Sequence, residues 1–135
     1  MGEVRVDIDL ENAFDREMVY RGLLAEGQVR AVRIPIIADS GAVMLMLPQE
    51  VVEVLGLREV RKAIVTYADN RKEERPIAGV VTVRVGNRAA EVNCIVGPPN
   101  SDPLLGQIPL EEMDLLVDCG GRRWFLAPNP HFCRC

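Results

Sequence analysis

A carboxylate stands in the most apolar stretch of this chain. Ile34-Pro35-Ile36-Ile37-Ala38 runs into Asp39-Ser40-Gly41-Ala42, and Val43-Met44-Leu45-Met46-Leu47 follows at once before Pro48. Taking a carboxylate out of water is costly unless it is hydrogen-bonded or paired. Any fold for this chain must therefore bring Asp39 to a place that supplies donors. Ser40 offers a hydroxyl that donates and accepts, and Gly41 lets the backbone turn without a Cβ. The pattern predicts two apolar segments meeting at a tight loop, with Asp39 supported by backbone N–H groups. A carboxylate held in such surroundings points to chemistry. Continuous apolarity over residues 34–37 implies burial on both faces, and Pro35, which lacks a ladder donor, implies an edge or irregular section there.

The segments around this loop read mainly as strands. Val4, Val6, Ile8 and Leu10 alternate with Arg5, Asp7 and Asp9, the signature of a half-buried strand over residues 3–10. Asn12-Ala13-Phe14-Asp15 supplies turn chemistry, residues 18–25 read as a second strand weakened at Gly22, and Glu26-Gly27-Gln28 turns the chain into a strand over residues 29–38. Pro48 predicts the first turn of a short helix, with Gly56 as its C-terminal cap. Residues 59–67 and 77–85 read as strands joined by a polar segment, 68–75. Gly86-Asn87 marks a hairpin into a strand over residues 89–96. Gly97-Pro98-Pro99-Asn100-Ser101-Asp102-Pro103 is a loop by composition. A short helix over residues 109–113 and two closing strands, Leu115-Leu116-Val117 and Trp124-Phe125-Leu126, complete the reading.

At 135 residues the chain is long enough to bury a core without staples, and it reads as one domain over residues 1–128 with a short tail, 129–135. Hydrophobic residues make up 48% and aromatics 4%, a balance that favours a folded, strand-rich chain. A net charge of −4 argues against nucleic acid as a partner. No apolar run reaches the length of a membrane span, and Met1-Gly2-Glu3-Val4-Arg5 carries no secretory signal, so no membrane partner and a cytoplasmic location are expected. Cys94 and Cys119 lie in apolar strand contexts and read as small core residues. Cys133, Cys135 and the single His131 do not have zinc-site spacing, so neither a metal nor any other cofactor is expected.

Asp39-Ser40-Gly41-Ala42 after an apolar strand resembles the active-site signature of retropepsin-like aspartic proteases, and the order of the surrounding parts strengthens the likeness. Leu47-Pro48 opens a short helix, Ala68-Asp69-Asn70 precedes a hairpin, and Leu104-Leu105-Gly106 comes near the end. The resemblance covers residues 29–128 and implies a mainly β fold, a closed antiparallel β-barrel with one or two short helices. It implies Asp39 as the catalytic residue and Ser40 as the brace between two such loops, with Gly41 and Ala42 lining the cleft. Ala68, Asp69 and Asn70 would form a substrate-binding flap, where relatives often carry Ala-Asp-Gly. Leu104, Leu105 and Gly106 would support the site from behind. Ser40 where many relatives have Thr keeps the hydroxyl and loses a methyl.

Aspartic proteases need two carboxylates sharing one proton, since like charges about 3 Å apart do not both ionise. This chain holds one such signature. The second carboxylate is expected from a second copy, a two-fold axis bringing Asp39 to Asp39 of its partner. The expected partners are thus the chain itself, as a homodimer, and an extended peptide or unfolded protein as substrate. The rival reading is a catalytically silent dimeric β-barrel binding module on the same fold. A plain acidic β-domain, with Asp39 in a satisfied turn, is a third reading that leaves the ordered motifs unexplained.

Overall fold

The structure, a computed structural model, describes residues 4–39, 41–66, 69–113, 115–118 and 123–126. Ser40, Ala68, Cys119 and the tail with His131, Cys133 and Cys135 lie outside the described residues. The fold is mainly β. Its strands are β1 (Val4–Asn12), β2 (Ala31–Ala38), β3 (Leu45–Pro48), β4 (Arg58–Thr66), β5 (Lys72–Val85), β6 (Arg88–Gly97), β7 (Leu104–Leu105), β8 (Leu115–Asp118) and β9 (Arg123–Leu126). Three helices accompany them: α1 (Ala13–Tyr20), α2 (Gln49–Leu55) and α3 (Gln107–Glu112).

Seven strands form one sheet in the order β1-β2-β7-β3-β6-β5-β4, and β1 also pairs with β5. Six of them therefore close a ring of hydrogen bonds, leaving β4 outside it on β5. β8 and β9 make a separate hairpin. The expected antiparallel character holds for β1–β2, β1–β5, β4–β5 and β5–β6, but β2–β7 and β3–β6 are parallel. Both parallel pairs lie next to the Asp39 loop. Neither pair is consecutive in the chain: β3 to β6 intervene between β2 and β7, and α2, β4 and β5 between β3 and β6, so each later strand is entered in the same direction as its partner.

Alternation decides what enters the core. On β1, Ile8 and Leu10 are fully buried while Asp7 and Asp9 are exposed. Val81 and Val83 of β5, Leu45 and Leu47 of β3, Cys94 of β6 and Leu105 of β7 meet them inside the ring, and Leu55 of α2 and Met113 after α3 close its ends. Burial pushes the Cys94 thiol up to about 12, so this cysteine behaves as a small apolar residue, as its sequence context implies. Pro35 sits where the sequence placed an edge: β1 flanks β2 throughout, and β7 joins its other side only at Ile37 and Ala38.

The segment after β1 corrects the sequence reading. In place of a turn and a strand over residues 18–25, the chain forms α1. Asn12 Oδ1 accepts the Asp15 N–H at 3.0 Å, an N-cap. At the other end, the Gly22 N–H reaches Val19 O at 3.0 Å and the Leu23 N–H reaches Met18 O at 2.9 Å, with Gly22 at φ +74. That is a Schellman stop, for which glycine is the favoured residue. Val19 and Tyr20 suggest a strand by propensity, but caps at both ends outweigh it. Two smaller differences follow the same logic. β5 starts at Lys72, so residues 72–75 are paired strand and the polar loop is shorter than expected. α3 starts at Gln107, putting Pro109 inside its first turn. Pro48 is the N-cap of α2 and Gly56 its left-handed C-cap.

A polar clasp ties α1 to the sheet. The Arg30 guanidinium donates to both Asp15 oxygens at 2.8 and 2.9 Å, and the Arg30 N–H adds a third bond at 3.0 Å. Arg16 likewise grips Glu11 with two bonds of 2.9 Å. Both carboxylates are buried, and in both the hydrogen bond from arginine outweighs burial and holds the pKa below its ordinary value. A lowered folded-state pKa stabilises the fold above the unfolded value, near about 4, and the gain is lost as pH falls through the folded value. Urea midpoints measured across an acid series are expected to drop below about pH 4 in the wild type. In Asp15→Asn the neutral midpoint falls and the acid dependence flattens.

Candidate active site

The Asp39 loop is fixed by backbone crossings. As β2 ends, the Ile37 N–H donates to Pro103 O at 3.2 Å and the Asp39 N–H to Leu105 O at 2.9 Å, so β7 lies directly alongside the strand that delivers the aspartate. The loop then turns, with the Ala42 N–H donating to Asp39 O at 3.0 Å. On its far side, Gln107 donates to Ala42 O at 2.8 Å and Ile108 to Val43 O at 2.9 Å. Residues 103–108 thus hold both ends of the loop. Leu105 is fully buried beneath it. Gly106 is pressed so closely against the loop that a Cβ there would lie 2.6 Å from Met44 O and 2.8 Å from Ala42 O.

Asp39 itself is half-buried. Its Oδ1 accepts the Gly41 N–H at 2.9 Å, the backbone support expected from the sequence. A Cβ on Gly41 would stand 3.1 Å from that same oxygen, so glycine leaves room beside the carboxylate. The expectation of a carboxylate buried within the apolar run is softened: the loop lifts Asp39 to the margin of a cleft.

That cleft encloses about 710 Å³, within the usual size of a ligand site. Asp39, Gly41 and Ala42 lie on one side, β3 contributes Met46 with Met44 just ahead of it, and Ile95 and Leu104 come from β6 and β7. The opposing wall is the last four residues of β4, Ala63 to Thr66. Asp39 is the one ionisable side chain among the described residues lining the cleft. Neither Asp69 nor Asp102 reaches it.

Of the expected site residues, the structure brings together Asp39, Gly41, Ala42 and Leu104 at the cleft, with Leu105 and Gly106 behind them. Asp69 and Asn70 stand at the tip of the β4–β5 hairpin and do not line the cavity. There Asp69 Oδ1 accepts the Arg71 N–H at 3.0 Å, and Asn70 takes φ +67, the left-handed conformation asparagine tolerates. The sequence reading missed the β4 wall, Ile95 and the two methionines. The methionines were findable: along residues 43–47 a period of two sends Leu45 and Leu47 to the core, leaving Met44 and Met46 for the other face.

Fold and site define a β-rich protein with one loop-borne aspartate set beside a parallel strand pair and facing an apolar cleft. The family model for aspartyl proteases matches residues 25–108, more than half of the chain. The chain belongs to this aspartyl protease family, of the retropepsin-like type. The match spans β2 through the start of α3 and so contains Asp39, the β4 wall and Gly106. Compared with curated proteins, the sequence matches none. Among the described residues no helix is long and apolar enough to cross a membrane.

Proposed function

We propose that the protein is an aspartic endopeptidase that acts as a homodimer, with one Asp39 from each subunit. The observation that carries this reading is Asp39 as the one ionisable group among the described residues lining an apolar cleft of about 710 Å³ in an aspartyl protease fold. The aspartic protease mechanism uses one carboxylate as base and another as acid, and no second acid from this subunit lines the cleft among the described residues. Two copies related by a two-fold axis supply the pair.

The pair holds one proton between them, because two adjacent negative charges would repel. The ionised Asp39 takes a proton from water as its oxygen attacks the peptide carbonyl carbon; the protonated Asp39 gives its proton to the departing nitrogen as the C–N bond breaks. Ser40 braces the two loops through its hydroxyl. The substrate lies extended, bonded through its main chain, with alternate side chains in the apolar pockets. The hairpin carrying Ala68, Asp69 and Asn70 closes over it and excludes water.

Two features support this assembly. Val43 and Ile108 flank the loop, are joined by a backbone hydrogen bond and remain 64% and 45% exposed, apolar surface suited to a second subunit. The ring of strand hydrogen bonds fits the closed barrel of this protease type. The test is cleavage of an unfolded protein followed by mass spectrometry over a dilution series, from acid to neutral pH. Products are expected, with a rate per molecule that falls as dimers dissociate. A rate per molecule independent of concentration would remove the shared site. Absence of products from a protein shown to be dimeric would replace catalysis with the binding-module reading.

A further inference from the structure

The chain has a net charge of −4, yet the first five residues of β4, Arg58-Glu59-Val60-Arg61-Lys62, carry three cations against one carboxylate. All five are exposed. Arg16, Arg21, Arg30 and Arg33 each pair with a carboxylate, whereas Arg58, Arg61 and Lys62 form no ion pair among the described residues. A run of unpaired cations on an acidic protein concentrates a positive field there.

The backbone beneath them is also unused. Among the described strands β4 has only β5 as a hydrogen-bonded neighbour, so its outer edge offers a row of free N–H and C=O groups. Other stretches are paired on one side only, among them β2 ahead of Ile37, blunted by Pro35 with α2 packed beside it, and β6 ahead of Cys94, with α3 packed beside it. β4 has neither protection. Its one irregularity is a register shift between Glu59 and Arg61.

The same strand forms the cleft wall at its other end. Thr66 lines the same cleft as Asp39, and at about 3.3 Å per residue Lys62 and Arg58 stand roughly 13 and 26 Å back along the strand. A chain extended on this edge would continue from the cleft without leaving the sheet.

We propose that the outer edge of β4 at residues 58–62 is an exosite that takes an extended acidic peptide segment by strand addition, flanking the segment held at Asp39. Charge selects this occupant. A second copy of the chain would bring the same cations to the same edge and be repelled, which is how basic edge strands avoid self-pairing. An acidic strand gains main-chain bonds from the edge and charge-assisted bonds from Arg58, Arg61 and Lys62. Its effect on cleavage rests on the peptidase reading; the binding does not.

The test uses fluorescent peptides with one uncharged core and a four-residue extension of Glu, Ser or Lys. Anisotropy is read with wild type and with Asp39→Asn, so that nothing is consumed in the second case. The acidic extension is expected to bind about tenfold tighter than the neutral one at low salt, the preference fading toward 0.5 M salt. It should slow amide hydrogen exchange at residues 58–62. Arg61→Glu with Lys62→Glu should turn the preference toward the Lys extension, and Arg61→Gln with Lys62→Gln should erase it. Equal binding of all three extensions, an acidic preference that survives charge reversal, or protection confined to other strands would each overturn the exosite. Acidic binding at β4 without any cleavage would uphold the exosite and sink the peptidase; cleavage indifferent to the extension and to charge reversal would do the opposite.

Discussion

Asp39→Asn is expected to remove peptidase activity while leaving the protein folded. The described support of the side chain is one hydrogen bond, from the Gly41 N–H to Oδ1 at 2.9 Å, and an amide oxygen still accepts that bond, though less strongly than a carboxylate. What the amide does not do is exchange a proton with water. In the proposed mechanism both the base and the acid are Asp39 residues, so the expected loss is that of general acid–base catalysis, about 10⁴-fold in kcat. KM should move little, because the cleft walls are Met44, Met46, Ile64, Val65, Ile95 and Leu104, which the change leaves in place. The shared site adds a second signature. When wild type and Asp39→Asn are mixed in equal amounts and allowed to exchange subunits, about a quarter of the dimers keep two aspartates. Activity should fall to that fraction of the same total protein held as wild type. A monomeric enzyme would retain about half. A variant as active as wild type would mean that another group does the chemistry.

The sequence was most readable where one physical requirement dominated. The Asp39 loop could be placed because a carboxylate in an apolar run has few satisfactory solutions, and the observed one uses the predicted backbone N–H. Pro35 marked an edge because it lacks a donor, and Gly56 marked the end of α2 because few residues take its left-handed φ of 64. Reading failed where two local signals competed. Asn12 and Asp15 serve a turn or a helix N-terminus equally well, and Val19 and Tyr20 lean toward a strand; only the second cap at Gly22 decides for α1. The β4 wall failed for a different reason. Ala63 to Thr66 line the same cleft as Asp39 because of how β4 hangs on β5 outside the ring, a tertiary fact that no local pattern carries. Parallel pairing of β2 with β7 was hidden likewise, since a two-residue strand has no periodicity to read.

Gly106→Ala is expected to destabilise the protein severely, although it adds a single methyl and Gly106 is neither charged nor part of a long strand. Its Cβ would lie 2.6 Å from Met44 O and 2.8 Å from both Ala42 O and Met44 N. These are backbone atoms, so no rotamer change relieves the overlap. Either the Asp39 loop shifts or residues 103–108 do, and both choices strain the bonds from Gln107 to Ala42 at 2.8 Å and from Ile108 to Val43 at 2.9 Å. Overpacking of this kind costs about 3 kcal/mol or more, a shift in urea midpoint of about 1 M or more for a protein this size. Gly27→Ala is the control: nothing lies within 4 Å of its Cβ and its φ is not in the left-handed region. There the alanine restricts the unfolded chain and should be neutral or stabilising by up to about 1 kcal/mol. Because the overlap is with the loop that presents Asp39, catalysis should fall even where the fold survives, for a displacement of about 1 Å can cost about 10²-fold. Equal midpoints for the two variants would mean that the loop moves freely, and that the crossing of residues 103–108 behind Asp39 is not what holds the site in place.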